Sequence, residues 1–102
     1  MARASFTCAF DEQTRTLTLS GDVDEAGAHE LRRRLAALMH DRASSVIMDL
    51  GSVHSLPGSA VGEIAAARAG MRARFATLTL VAPEGSVARS VLARFGMSAR
   101  DA

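Results

Sequence analysis

The sequence contains no lysine, tryptophan or tyrosine, so all twelve of its basic residues are arginine. Without lysine the chain cannot be a Schiff-base enzyme, a P-loop nucleotide hydrolase or a receiver domain of the response-regulator type, since each of these needs that amine. Cys8 is the only cysteine and cannot form an internal disulfide, and no C-x-x-C motif or histidine-rich cluster indicates a zinc site. These absences favour a protein without a metal, in a reducing cytoplasm.

Long apolar stretches are also missing. No run of about 18 apolar residues occurs and the N-terminus lacks the apolar segment of a signal peptide, so we expect neither membrane insertion nor export. A formal net charge of +1 gives no basic field of the kind that nucleic-acid binding needs. The chain of 102 residues, 48% of them hydrophobic, predicts a single domain over residues 1–102 with a core of aliphatic side chains and alanine.

The beginning of the chain predicts a β-hairpin followed by a loop. Phe6, Cys8 and Phe10 alternate with polar or small residues, and the alternation resumes at Thr16–Leu19 after a polar turn. The loop is expected at Gly21–Asp24, where Asp24 can cap the helix that follows.

Three helices and two further strands are predicted after the hairpin. The helices run to about His40, from Gly58 or Ser59 to about Arg74, and from the capping residue Ser86 to Gly96. Their predicted inward positions are Ala28, Leu31, Leu35, Leu38 and Met39 in the first, Ala60, Ile64, Ala67 and Met71 in the second, and Val87, Val91 and Phe95 in the third. The strands are Val46–Leu50, which ends at Gly51 before a loop from Ser52 to Pro57, and Ala76–Val81.

The predicted order is therefore β-β-α-β-α-β-α, an α/β fold with a mixed sheet of four to five strands. Parallel strands need helical crossovers, whereas the hairpin pairs its two strands antiparallel. Leucines alternate with threonines in Thr16–Leu19 and in Thr77–Leu80, so one sheet face is apolar and the other polar. We expect the helices mainly on the apolar face, which argues against a doubly wound fold.

Acidic and hydroxyl side chains follow the predicted strands, and the carboxyl ends of parallel strands gather at one edge of a sheet. Asp22 and Asp24 follow the second strand, Asp49 and the loop from Ser52 to Ser59 belong to the third, and Glu84 and Ser86 follow the fourth. Two interpretations remain open from spacing alone. The residues form a binding or phosphoryl-transfer surface, or they are ordinary helix caps and turn formers.

Several segments resemble the STAS domain shared by sulfate transporters and bacterial anti-sigma factor antagonists. Leu17–Asp24 (LTLSGDVD) is similar to the family's strand-to-helix junction, and Val46–Val53 (VIMDLGSV) resembles its central strand. Glu30–Leu35 (ELRRRL) looks like its first helix and Val87–Met97 (VARSVLARFGM) like its last. The resemblance implies a STAS-like fold and a non-enzymatic, cofactor-free domain that binds a protein partner, an anti-sigma factor or a related serine kinase.

The family's phosphorylation motif is altered in this sequence. Stand-alone members carry Asp-Ser-(Ser/Thr)-Gly-Leu before the second helix, and the first serine is phosphorylated by the partner kinase. An ungapped alignment from Val53 places Pro57 at the aspartate and Gly58 at the acceptor serine. Ser59 is the remaining candidate acceptor, but a hydroxyl at a helix start is expected to bond to backbone N–H groups instead.

These observations lead to the hypothesis of an antagonist-like module that binds its partner without the usual phosphorylation switch. The predicted partner-binding residues are Asp22, Asp24, Asp49, Ser55, Leu56, Pro57, Gly58, Ser59, Val61 and Glu63. Two alternatives remain: an accessory subunit of a lipid-type ABC transporter, because small STAS proteins also resemble such subunits, and a nucleotide-binding sensor. The sequence leaves the oligomeric state open, including a homodimer.

Overall fold

Residues 6–41 and 45–101, which the computed structural model describes, form four strands and three helices in the predicted order β-β-α-β-α-β-α. The elements are β1 (Phe6–Asp11), β2 (Thr16–Asp22), α1 (Glu25–Asp41), β3 (Val46–Ser55), α2 (Gly58–Ala73), β4 (Leu78–Val81) and α3 (Val87–Arg94). The mixed α/β architecture is therefore confirmed.

The strands of the described residues lie in one sheet with the order β1-β2-β3-β4. β1 pairs antiparallel with β2, and Phe10 lies opposite Leu17, as a hairpin requires. β2–β3 and β3–β4 are parallel pairs, because α1 and α2 cross over between them. Beyond β4 the C-terminal segment adds a single bridge between Val81 and Arg100.

The helices cover one face of this sheet. Leu17 and Leu19 of β2, together with Met48 of β3, are at most 1% exposed beneath them. On the opposite face Thr18 and Ile47 are exposed, so the apolar and polar faces are as predicted. The predicted stripe of α2 is buried in full, and in α1 Ala28, Leu31 and Leu35 are buried while Leu38 and Met39 pack partly exposed against the core.

Two strands are longer than their sequence pattern predicts. β3 was expected to end at Leu50 but continues to Ser55, and β2 includes Gly21 and Asp22, which were expected in a loop. A register irregularity lies in β3 between Asp49 and Ser52, where the Asp49 carboxylate accepts the Gly51 N–H at 3.0 Å. Gly51 thus belongs to a bulge that lets the strand resume its pairing with β2.

Of the three positions predicted to face inward in α3, Val91 packs against the core and the other two were wrong. Val87 and Phe95 are 46% and 54% exposed, whereas Ala88 and Leu92 are fully buried. The Ser86 hydroxyl accepts the Arg89 N–H at 3.2 Å, which confirms the predicted cap. Ala88 and Leu92, four residues apart, lie on the same side of the helix and are buried, and Phe95 is left at the surface.

Candidate functional site

The ends of β2 and β3 bring the predicted site residues together at one edge of the sheet. Asp22 lies opposite Ser55 in the register of the two strands, and the Ser55 hydroxyl donates to the Asp22 carboxylate at 3.3 Å. The Val23 N–H donates to the Ser55 carbonyl at 3.1 Å and continues the pairing by one step. We name the surface formed by Asp22, Asp24, Ser55, Pro57, Gly58 and Ser59 the loop edge.

Asp24 occupies the loop edge as the cap of α1. Its carboxylate accepts the Gly27 N–H at 2.7 Å, and its carbonyl accepts the Ala28 N–H at 2.8 Å. A short side chain with this geometry satisfies backbone donors that the first helical turn leaves unpaired. Of the two interpretations left open by the sequence, helix capping accounts for this residue.

The start of α2 has no side-chain cap. Pro57 is the N-cap residue, with an extended backbone, and its carbonyl accepts the N–H groups of Ala60 and Val61 at 3.0 and 3.2 Å. Gly58 is the first helical residue, and a Cβ placed there would lie 3.5 Å from Cζ of Phe95. The Phe95 ring therefore lies beside the first residue of α2.

Ser59 bonds to a neighbouring helix. Its hydroxyl donates to the Glu25 carboxylate of α1 at 3.1 Å, so the expected bond to a backbone N–H was wrong. Ser59 is the second residue of α2, two positions beyond the N-cap residue Pro57. The side chain is exposed, and a negative charge lies within hydrogen-bond distance of its oxygen.

Three predicted contact residues lie beneath or beside this surface. Leu56 and Val61 are 6% and 2% exposed, so they anchor the loop and the helix start in the core and present no contact surface. Glu63 is half-buried and faces α1, where it lines a cavity of about 160 Å³ together with Arg32. The accessible part of the site is therefore smaller than the sequence predicts.

Asp49 lies away from the loop edge. It pairs with Thr18 of β2 and Val81 of β4 in the middle of the sheet. Thr18 precedes Asp22 by four residues, so Asp49 lies about 13 Å from the level of Asp22 along the strand direction. Its carboxylate is used by the bulge at Gly51. The expected convergence of Asp49 with Asp22 and Asp24 depended on β3 ending at Leu50, and it is not present.

Phe95 lies beside the loop edge, a position that the sequence does not predict. Its spacing from Val87 and Val91 indicates an apolar helix face, and no local pattern shows that this face turns toward α2. With Pro57 and Gly58 the exposed ring forms an apolar spot, and the carboxylates of Asp22 and Glu25 lie on the same edge. Exposed aromatic rings beside polar groups are typical of protein-binding surfaces.

The described residues contain no group of three or more histidine, cysteine, aspartate or glutamate side chains that could hold a metal ion. Within the same ranges no helix is both long and apolar enough to cross a membrane. The geometry of the loop edge is that of a surface with hydrogen-bond acceptors around an apolar centre.

A family model described as the Mlab, STAS domain matches residues 6–99. The chain belongs to the STAS domain family. The match extends from β1 past the end of α3, so it includes the loop edge and every strand of the described sheet. The resemblance seen in the sequence is thereby confirmed.

Solved structures of anti-sigma factor antagonists have the same fold. The antagonist from Mycobacterium paratuberculosis is 17% identical with a TM-score of 0.74, and the match covers 99% of this chain and 90% of that one. SpoIIAA in its unphosphorylated form is 17% identical with a TM-score of 0.71, covering 90% and 81%. The phosphorylated form of SpoIIAA, a Bacillus cell fate determinant, is 16% identical with a TM-score of 0.67, covering 90% and 84%.

Proposed function

We propose that this STAS domain is a non-enzymatic, cytoplasmic interaction module of the anti-sigma factor antagonist type. It captures an anti-sigma factor or a related serine kinase at the loop edge, and it does so without phosphorylation at the position usual for the family. The observation that carries the proposal is Gly58, a residue without a hydroxyl, at the first position of α2 beside the ring of Phe95.

The neighbouring hydroxyl is poorly placed to replace the missing one. Ser59 donates its hydrogen bond to Glu25 at 3.1 Å. A phosphate on this oxygen would bring a charge of about −1.5 to −2 against that carboxylate, and like charges at this distance repel. Modification of Ser59 would also break the contact between the first turns of α1 and α2. The local electrostatics therefore favour an unmodified loop edge.

Phe95 supplies the contact that we expect to dominate partner binding. Its ring is 54% exposed although it lies against Gly58, so a partner surface can bury the rest of it. Aromatic residues near the centre of an interface commonly contribute most of its binding energy, and the polar groups around them contribute specificity. Asp22 and Glu25 would then face donor groups of the partner.

The absence of modification is tested by incubating the purified chain with the captured serine kinase and ATP, followed by mass spectrometry. We expect no phosphate on the natural chain. Gly58→Ser is the matched gain-of-function variant, because a Cβ at this position makes only ordinary contact with Phe95 and the fold should tolerate it. This variant is expected to accept phosphate, whereas stoichiometric phosphate on Ser59 of the natural chain would contradict the proposal.

The docking surface is tested by capture of a partner from the source cell, followed by titration of the purified pair. Phe95→Ala is expected to weaken binding about tenfold or more, as loss of an interface anchor does. Glu12→Gln, in the exposed turn between β1 and β2 at the opposite end of the sheet, is the control and should bind normally. Equal affinity for both variants would place the partner elsewhere.

A second candidate function is an accessory subunit of a lipid-type ABC transporter. Gly58 favours it as well, because a subunit that is held permanently in a complex needs no phosphate-controlled release. The same capture experiment separates the two candidates. Recovery of a transporter ATPase, with binding that depends on Phe95, would support the second candidate over the first.

A further inference from the structure

A groove runs along the outer side of β4, far from the loop edge. It has a volume of about 390 Å³ and is lined by Arg68, Arg72, Ala76, Thr77, Leu78 and Ser98. The groove lies where β3 and β4 begin, whereas the loop edge lies where β3 ends, nine residues further along β3 and, by its register with β2, about 20 Å away. Its lining includes two arginines and no carboxylate.

The two arginines are available to a ligand. Arg68 and Arg72 are four residues apart on α2 and therefore point to the same side of the helix. Arg68 is half-buried in the wall of the groove, and Arg72 is exposed. The ion pairs within residues 6–41 and 45–101 use Arg33, Arg34 and Arg89, and none of them uses Arg68 or Arg72.

The floor of the groove adds a backbone donor. The Val46 N–H of β3 donates to the Thr77 carbonyl at 2.9 Å, which shows that the backbone groups of Thr77 face β3. Backbone groups alternate in direction along a strand, so the N–H of Leu78 points outward, toward the groove. The Leu80 carbonyl also points outward, since it accepts the Arg100 N–H at 2.8 Å.

We propose that this groove binds the phosphate group of a phosphate monoester. The two guanidinium groups would pair with its oxygens, since planar arginine forks match phosphate geometry and give strong charge-assisted hydrogen bonds. The exposed hydroxyls of Thr77 and Ser98 and the Leu78 N–H provide further donors at the same place. This site is independent of the function proposed for the loop edge.

Phe75 distinguishes the two possible sources of this phosphate group, a lipid headgroup and a small soluble phosphoester. It directly precedes Ala76 and Thr77 in the wall of the groove, is 100% exposed, and has a left-handed backbone with φ of 64°. An apolar ring on this turn could enter a lipid headgroup layer beside a bound phosphate, whereas a small soluble phosphoester would not contact it. The ligand chemistry is the same in both cases, and only the lipid case depends on Phe75.

The test follows amide NMR signals of the full chain during titration with glycerol 3-phosphate and, separately, flotation with phosphatidylcholine vesicles that contain phosphatidic acid, whose headgroup is a phosphate monoester. We expect saturable shifts at Leu78 and Ser98, or vesicle binding, or both. Arg68→Gln/Arg72→Gln should weaken either interaction about tenfold or more, since it removes both charge-assisted contacts. Arg32→Gln/Arg33→Gln on α1 removes the same charge and should leave binding unchanged.

If the phosphate belongs to a lipid headgroup, Phe75→Ala should reduce vesicle binding. The same variant should leave the glycerol 3-phosphate titration unchanged, so it distinguishes the two sources. Thr77→Val removes one hydroxyl at nearly constant shape, and it keeps the proposal testable if the double arginine variant does not fold. The absence of saturable binding to both probes would overturn the proposal. Equal weakening by the α1 control variant would also overturn it, because binding would then follow net charge alone.

Discussion

At Gly58 the absence of a side chain affects both packing and chemistry. A Cβ there would approach the Phe95 ring at 3.5 Å, an ordinary contact, so a serine fits the space that the glycine leaves. The sequence shows that no hydroxyl stands at position 58, and its alignment with the family motif predicts that this is the position of the acceptor. It cannot show that an aromatic ring from α3 lies beside the same position, because the two residues are far apart in the chain.

Cys8 shows how burial changes the acidity of a side chain. It lies in β1, partly buried beside α1, and the Arg34 guanidinium donates to its carbonyl at 3.1 Å. Burial raises the pKa of the Cys8 thiol, an effect that Arg34 opposes and Glu30 reinforces. A raised pKa in the folded state means that the folded protein holds the thiol proton more tightly than the unfolded chain does.

The first prediction is therefore a loss of stability at alkaline pH. The contribution of Cys8 is fully present below the unfolded thiol pKa of about 8.5, and it is lost as pH rises from there through the raised folded value. The chain has no lysine or tyrosine, so Cys8 is the only side chain that titrates in this window. Urea unfolding between pH 8 and pH 10.5 should show a falling free energy of unfolding.

Cys8→Ala is the control for this measurement. The variant has no thiol, so its free energy of unfolding should stay constant over the same pH range. A slope equal to that of the natural protein would show that another group is responsible.

Among the elements, α1 is stabilised by the N-cap residue Asp24, which the sequence predicts. Asp24 precedes the first helical residue, and its carboxylate accepts the Gly27 N–H at 2.7 Å. The second prediction is that Asp24→Ala lowers the free energy of unfolding by about 1 kcal/mol, the usual cost of losing such a cap. Asp24→Asn keeps an acceptor oxygen, so its free energy of unfolding should fall by only about a few tenths of a kcal/mol in the same urea titration.

β3 shows where local patterns fail at this scale. Gly51 follows an apolar run and is typical of a strand end, yet the strand continues for four more residues to Ser55. The continuation depends on the pairing of Ser52, Val53 and Ser55 with β2, and this pairing is a tertiary contact. A bulge cannot be distinguished from a strand end when the partner strand is unknown. Because β3 continues past Leu50, Asp49 lies within the strand and not at the predicted site.

For the whole molecule, the described sheet carries its helices on one face. Ile47 and Met48 are neighbours in β3 and point to opposite faces, with exposures of 37% and 0%. The third prediction is that Met48→Thr costs about 2–5 kcal/mol, since it leaves a cavity and buries a hydroxyl. Ile47→Thr introduces the same residue on the open face, where it should cost about 1 kcal/mol or less.

Thermal or urea unfolding of the two variants provides the comparison, and each serves as the other's control. Similar losses for both would mean that the polar face is covered in solution, by a second copy of the chain or by another protein. The contrast therefore also addresses the homodimer that the sequence leaves open.

The order of the elements, the polar and apolar faces of the sheet and the family resemblance were all predictable from the sequence. These properties follow from periodicity, capping residues and motif order, all of which act over a few neighbouring positions. Tertiary structure decided the rest: the bond between Ser59 and Glu25, 34 residues apart, the ring of Phe95 beside Gly58, and the arginine groove along β4. These contacts depend on how helices pack against the sheet, and no local pattern encodes that packing.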